Sequence, residues 1–305
     1  MNIKSTFVAG AMLASAIAPS LAADLPSTKS PATPVIPAFF IFSDTSLSYH
    51  YEWNAREPGI RGAIQKHVVS LTHADAWAYG SNFFNIDFLK SNSKDPAAGP
   101  LGTTDGAFEV YGFFRSTLSL NSLSGSKAFA LGGIIKDIAI EYGADANTKN
   151  TAFAPQKRDV VIGPQIQFNV PGYLNVGFLL YKEWNHNGIT APALSNVEFK
   201  PALNIDVTYM FPLTFTGLPL SVNGYFEYVT PKGRDGFGVQ TTYEIHTENH
   251  LTLDLGAVVA KKPKTVDLWI GHRYWQNKFG NNNKLIANKD ATENQFLVGL
   301  TWHMF

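Results

Sequence analysis

The chain has 305 residues, no cysteine, and equal numbers (24 each) of Lys+Arg and Asp+Glu. That excludes a disulfide scaffold and gives no net positive charge for nucleic-acid binding. The mean hydropathy of −0.05 fits a chain whose strands carry apolar residues on one face and polar residues on the other, as well as it fits a soluble domain.

The N-terminal segment reads as an export signal. Lys4 supplies a positive start, Phe7 to Ala18 an apolar stretch, and Ser20-Leu21-Ala22 a small-residue cleavage site, so residues 1–22 are expected to be removed. No later run reaches the ~18 apolar residues of a spanning helix. Residues 23–38 carry Pro26, Pro31, Pro34 and Pro37, a spacing that blocks both helix and strand, and read as an extended periplasmic leader. The domain proper is expected over 39–305.

From Asp44 onward, apolar and polar residues alternate with a period of two, which reads as strand. The predicted strands are 44–53, 66–74, 82–90, 107–120, 129–142, 158–170, 173–184, 199–211, 218–229, 250–260, 265–275 and 293–305. The apolar set is clear in most of them, for instance Phe84, Ile86 and Phe88, or Phe296, Val298, Leu300 and Trp302. The opposite set is ionised in mid-strand. Charges are too costly to desolvate in a dry core, so the apolar face is assigned to lipid and the polar face to a lumen. The expected fold is all-β: a transmembrane antiparallel up-and-down β-barrel of twelve strands, inserted in the bacterial outer membrane after crossing the periplasm.

Segment 237–246 also alternates. A thirteenth strand would break the even count of single-chain bacterial barrels, so 230–249 is assigned to a loop. With that choice, connections 54–65, 91–106, 143–157, 185–198, 230–249 and 276–292 are each longer than 75–81, 121–128, 171–172, 212–217 and 261–264. This is the long-outside, short-inside alternation such barrels show. Phe305 is out of phase with the apolar set of the last strand. Either a bulge near His303 restores the phase, or the final two residues leave the ladder.

Functional residues are sought on the inward set. It mixes flat aromatics with carboxylates, amides and two arginines. Aromatic faces stack on planar rings, and carboxylates and amides bond hydroxyls and ring nitrogens. The substrate-binding candidates are Phe83, Asp87, Glu109, Phe113, Arg115, Tyr181, Asp206, Tyr225, Glu227, Trp269 and Arg273. A planar base joined to a polyol suits them. It would pass among loops 91–106, 143–157 and 230–249 and move along successive weak sites. Mutual pairing that merely stiffens the wall is the bland alternative for any one of these residues.

Catalytic readings are weaker. His67 and His73 fall on the outward set, but Ser70 takes the opposite parity, so no lipid-hydrolase pair forms. His246 lies in the expected loop and His250 begins a strand, so their spacing defines no metal site. The chain is expected not to be an enzyme and to need no cofactor.

Three stretches carry a resemblance: Phe39 to Leu47, His73 to Phe88 (with Trp77-Ala78-Tyr79-Gly80-Ser81-Asn82-Phe83-Phe84-Asn85-Ile86-Asp87), and Leu268 to Gly280 (with Trp269-Ile270-Gly271-His272-Arg273-Tyr274-Trp275). Together they resemble the nucleoside-specific channel-forming outer-membrane proteins of the Tsx type. The resemblance implies a monomeric twelve-stranded barrel that passes nucleosides and deoxynucleosides. It also implies contact with outer-membrane lipid and lipopolysaccharide, and insertion by the barrel-assembly machinery through the strand ending at Phe305. A porin for another small polar solute, or an adhesin or structural barrel acting through its loops, is the alternative.

Overall fold

The computed structural model describes residues 39–59, 61–95, 105–151, 155–186, 188, 195–285 and 290–304. The expected signal peptide (1–22), the leader (23–38) and Phe305 lie outside the described residues.

The strands are β1 Phe40–Ala55, β2 Ile64–Trp77, β3 Gly80–Ser91, β4 Phe108–Ser119, β5 Ile135–Lys149, β6 Gln156–Phe168, β7 Tyr173–His186, β8 Asn196–Glu198, β9 Ala202–Pro212, β10 Leu220–Val229, β11 Glu244–Asp254, β12 Val266–Gln276 and β13 Glu293–His303. Twelve are long. The three-residue β8 pairs with β7 only at Trp184–His186, above the point where β9 takes over the pairing, so it prolongs β9's place in the wall. Apart from this insertion, each strand pairs antiparallel with the next, and β1 pairs with β13. The sheet therefore closes on itself as a twelve-stranded up-and-down barrel, with no open edge to present unpaired backbone to lipid.

Alternation is regular. In β13, Gln295, Leu297 and Thr301 are buried, while Phe296, Val298, Leu300 and Trp302 are exposed. Most of the outward set is apolar, with polar exceptions such as His67, Thr247 and Asn249, and the inward set includes Glu52, Lys66, Asp87, Arg115, Asp206 and Arg273, all buried. An apolar exterior around a charged interior is the inverse of a soluble protein and defines a transmembrane barrel.

Several predicted boundaries shift. The fifth strand begins at Ile135, not 129. Residues 120–124 form a short helix, α1 (Leu120–Ser124), whose N-cap Ser119 accepts from the Ser122 amide at 3.0 Å. Gly132 and Gly133 then both adopt positive φ, outside the extended conformation of a strand. The tenth predicted strand begins at Glu244, not 250, and absorbs part of the segment assigned to a loop. Its expected end, 255–260, is instead a π-type turn, with the Asp254 carboxylate accepting from the amides of Ala257 and Lys264 at 2.8 Å each.

The strict length alternation of the connections does not survive these shifts. At the end holding the termini, 120–134 and 255–265 are longer than 56–63 and 150–155 at the other end. No bulge interrupts the last strand up to His303, and Phe305, on which the phase question turns, lies outside the described residues. Leu47↔Trp302 and Ser46↔His303 are in register, the strand ends at His303, and Met304 N donates to Thr45 O at 2.7 Å. His303 points inward between Asp44 (3.0 Å) and Asp267 (3.1 Å).

Candidate functional site

The interior is divided along the barrel axis. At the end holding the termini, a vestibule of about 950 Å³ rises to mid-barrel. Its inner end is built by β3 and β4 (Phe83, Phe113, Arg115), β5 and β6 (Glu141, Gln165), and β9 and β10 (Asp206, Tyr225, Glu227). Strand parity turns each of these inward. The residues opposite them in register are small where room is needed. A Cβ on Gly143 would run into Phe114 O and the Arg115 side chain, and one on Gly177 into the Glu141 carboxylate.

Arg115 is the hub. Its Nη1 donates to Asp145 and, at 2.9 Å, to Phe114 O, and its head lies 5.5 Å from the Phe113 ring centroid. Asp206 and Glu227 stand farther off, at 3.9 and 3.8 Å. Gln165 donates to Glu141 at 2.8 Å, and Tyr225 pairs with His246 at 2.9 Å. Phe83 and Phe113 are tilted against each other at 5.5 Å.

The other half of the lumen is filled. Arg273 has no exposed surface and reaches Glu52 at 2.7 Å, Glu293 at 3.5 Å, and Glu248 through Nε at 2.5 Å. Charged residues from connections also reach inward and complete the packing, among them Glu57, Asp95, Lys232 and Lys278. Glu57 pairs with Lys66 (3.0 Å), Lys149 (3.8 Å) and Lys278 (3.8 Å). Burial pushes its carboxyl up, but the three lysines outweigh burial and hold it well below the usual carboxylate range. Lys278 also meets Glu293 at 3.1 Å and the Trp275 ring at 4.6 Å. Lys232 pairs with Glu183, and Lys149 with Asp95 at 3.3 Å.

All eleven predicted site residues point inward and are buried, but the structure does not bring them together. Phe83, Phe113, Arg115, Asp206, Tyr225 and Glu227 converge on the vestibule. The others are engaged elsewhere. Asp87 accepts from Ser70 at 2.5 Å and Asn85 at 3.0 Å. Glu109 lies between Lys149 (3.7 Å) and Lys66 (3.9 Å). Tyr181 donates to Glu183, and Arg273 sits in its carboxylate cage. Trp269 stacks on His250 at 4.2 Å and donates to Thr301.

These ion pairs lie on the side of the loops through which entry is expected from the sequence. Glu141 and Gln165 are vestibule residues the candidate set left out. Their signal was present, since both have lumen parity, but parity does not report depth. His246 lies on β11 and not in a loop; it stacks on Trp275 at 4.1 Å, as His250 does on Trp269. Ser70 faces inward, away from outward His67 and His73, as its parity requires. Among the described residues no cluster of three or more His, Cys, Asp or Glu is arranged to hold a metal.

No known family and no curated protein matches the chain. Solved structures share its outline at low identity. The KdgM porin in complex with disordered oligogalacturonate aligns with a TM-score of 0.41 at 10 % identity over 85 % of this chain and 99 % of that one. A bacterial polysaccharide outer-membrane secretin aligns at 0.41 and 7 %, covering 86 % and 98 %. The translocator domain of autotransporter NalP from Neisseria meningitidis aligns at 0.39 and 12 %, covering 86 % and 87 %. Likeness at this level specifies no solute, so function is argued from the vestibule itself.

Proposed function

We propose that the protein is an outer-membrane channel of porin type that takes small ring-bearing polar solutes, nucleosides foremost, into the vestibule. The vestibule carries this reading: about 950 Å³ of space with Phe83, Phe113 and Tyr225 on its inner wall and carboxylates and amides between them. Aromatic faces suit a planar base, and the acceptors suit ribose hydroxyls. The motifs around Trp77 to Asp87 and Trp269 to Trp275, which resemble nucleoside-specific channels, support the same solute class.

In this reading the termini face the periplasm, as in single-chain bacterial barrels, so the vestibule opens to the periplasm and the ion-paired half faces outward. The structure then represents a closed state. Solute passes when the inward-reaching connection residues Glu57, Asp95, Lys232 and Lys278 withdraw. Several weak contacts, not one tight site, keep such a path conductive.

Equilibrium titration of the purified barrel in detergent tests the reading. Adenosine and thymidine are expected to bind, ribose at least tenfold more weakly, and Phe113→Ala with Tyr225→Ala is expected to abolish the difference. Equal binding of ribose and adenosine would leave a small-solute porin of another specificity.

A further inference from the structure

We propose that the floor of the vestibule is a binding site for a small organic cation bearing a primary ammonium or guanidinium group. The inference rests on the vestibule being a solute site, and is independent of whether nucleosides are its solute.

The argument begins with charge placement. In the filled half, the carboxylates Glu52, Glu57, Asp95, Glu109, Glu183 and Glu293 each have a lysine or arginine within 4.0 Å, while Asp87 and Glu244 accept from neutral donors, Ser70 and Asn85 for the first and Trp275 and the Phe279 amide for the second. Arg115, like Arg273, meets three acidic groups, Asp145, Asp206 and Glu227, but among the described residues no lysine lies within 4.0 Å of them, and Glu141 stands alongside. The guanidinium hydrogen bond goes to Asp145, leaving Asp206 and Glu227 at 3.9 and 3.8 Å. Glu141 has no cation within 4.0 Å among the described residues; it accepts from the neutral Gln165 amide and shares a hydrogen bond with Asp206. Acidic groups with no lysine of their own therefore gather where the barrel has empty space.

Two further observations point to a missing partner. Glu227 is 7 % exposed and accepts no hydrogen bond among the described residues, although it faces the vestibule. Asn204, in the register pair next to Asp206↔Glu227 on the inward face, is 1 % exposed, and its Oδ1 has no hydrogen-bond partner. It lines a second, water-sized cavity of about 10 Å³ that shares Arg115 and Glu227 with the vestibule. A buried acceptor and a buried carboxylate without donors are each costly unless a donor arrives. An ammonium or guanidinium group brings several donors and the compensating charge. Phe83, Phe113 and Tyr225 would cover its apolar part. Phe113 already faces the Arg115 cation, so its ring is oriented for cation–π contact.

The test uses the full barrel in detergent micelles, titrated calorimetrically with n-butylammonium and butylguanidinium. Butanol and butyrate are the neutral and anionic probes with the same apolar body. Both cations are expected to bind at least tenfold more tightly than butanol, with no detectable butyrate binding. Glu227→Gln and Glu141→Gln should each weaken the cations about tenfold, and Glu198→Gln, at the exposed end of β8, should not. Heat-modifiable migration on gels verifies that each variant is folded. Should one of the two fail to fold, the other and the reversal potential of the wild-type pore in a salt gradient still decide.

Equal binding of butanol and butylammonium would overturn the proposal. So would cation binding unchanged by either Gln variant, or a pore that prefers chloride. Adenosine titrated in parallel separates the two readings: its failure to bind with butylammonium still bound removes the nucleoside and leaves the cation site.

Discussion

Arg273 has no exposed surface, and three carboxylates share its one positive charge. Removing one partner of a buried pair leaves charge that neither water nor protein compensates. Arg273→Ala is therefore expected to destabilise the barrel by about 3–5 kcal/mol, read from urea unfolding in detergent; an unchanged midpoint would mean water reaches the cage.

Glu57 gives a pH prediction. Its folded pKa is depressed, so the stabilisation it confers is present above the unfolded carboxylate value and is lost as pH falls through the depressed folded value. The contacts of Glu57 with Lys66, Lys149 and Lys278 should hold through pH 5 and release only in stronger acid. Glu57→Gln should remove that acid-dependent step from proteolysis of the 56–63 connection, and a step that persists in the variant would assign it to another group. At this scale the sequence was partly legible. Parity turned Asp87, Glu109, Tyr181, Trp269 and Arg273 inward correctly. It could not show that each already has a close partner, because alternation reports a side and not a depth.

Among the elements, legibility followed the contrast between the two faces. β13 alternates without interruption and was located to within its last two residues. The start of β11 was not: 237–246 alternates and is assigned to a loop only to keep the strand number even, and the polar outward residues Thr247 and Asn249 give no apolar face joining it to the strand expected from 250. The start of β5 was placed too early because Ile134 continues an apolar pattern across Gly132-Gly133, whose backbone conformation breaks the strand.

The parity of β9 has a direct test. Ile205 faces outward and Asp206 inward, so Ile205→Lys near mid-bilayer should cost about 2–4 kcal/mol, whereas Asp206→Leu should leave folding nearly intact. Reversed results would exchange the two faces. The turn after β12 is held in place against its own backbone preference: Asn277 and Phe279 both adopt positive φ, uncommon for residues other than glycine. Lys278, between them, is the side chain that reaches into the lumen. Lys278→Met should free this turn and lengthen channel openings, and unchanged open times would remove it from the closure.

For the molecule as a whole, the twelve-stranded closed wall could be read from alternation and from the rule of even strand number. The division of its interior could not. Which half is filled depends on charges delivered by connections, Glu57, Asp95, Lys232 and Lys278, whose inward reach has no periodic signature. The proposed function rests on that division: an aromatic and carboxylate vestibule at one end, and packed ion pairs at the other.

Single-channel recording in planar bilayers, with adenosine, thymidine and ribose added in turn from the side of the termini, tests this most directly. A pore that opens only intermittently, and whose openings nucleosides block at micromolar to millimolar concentration while ribose does not, is the predicted result. A continuously open pore indifferent to nucleosides would contradict both the closed state and the solute.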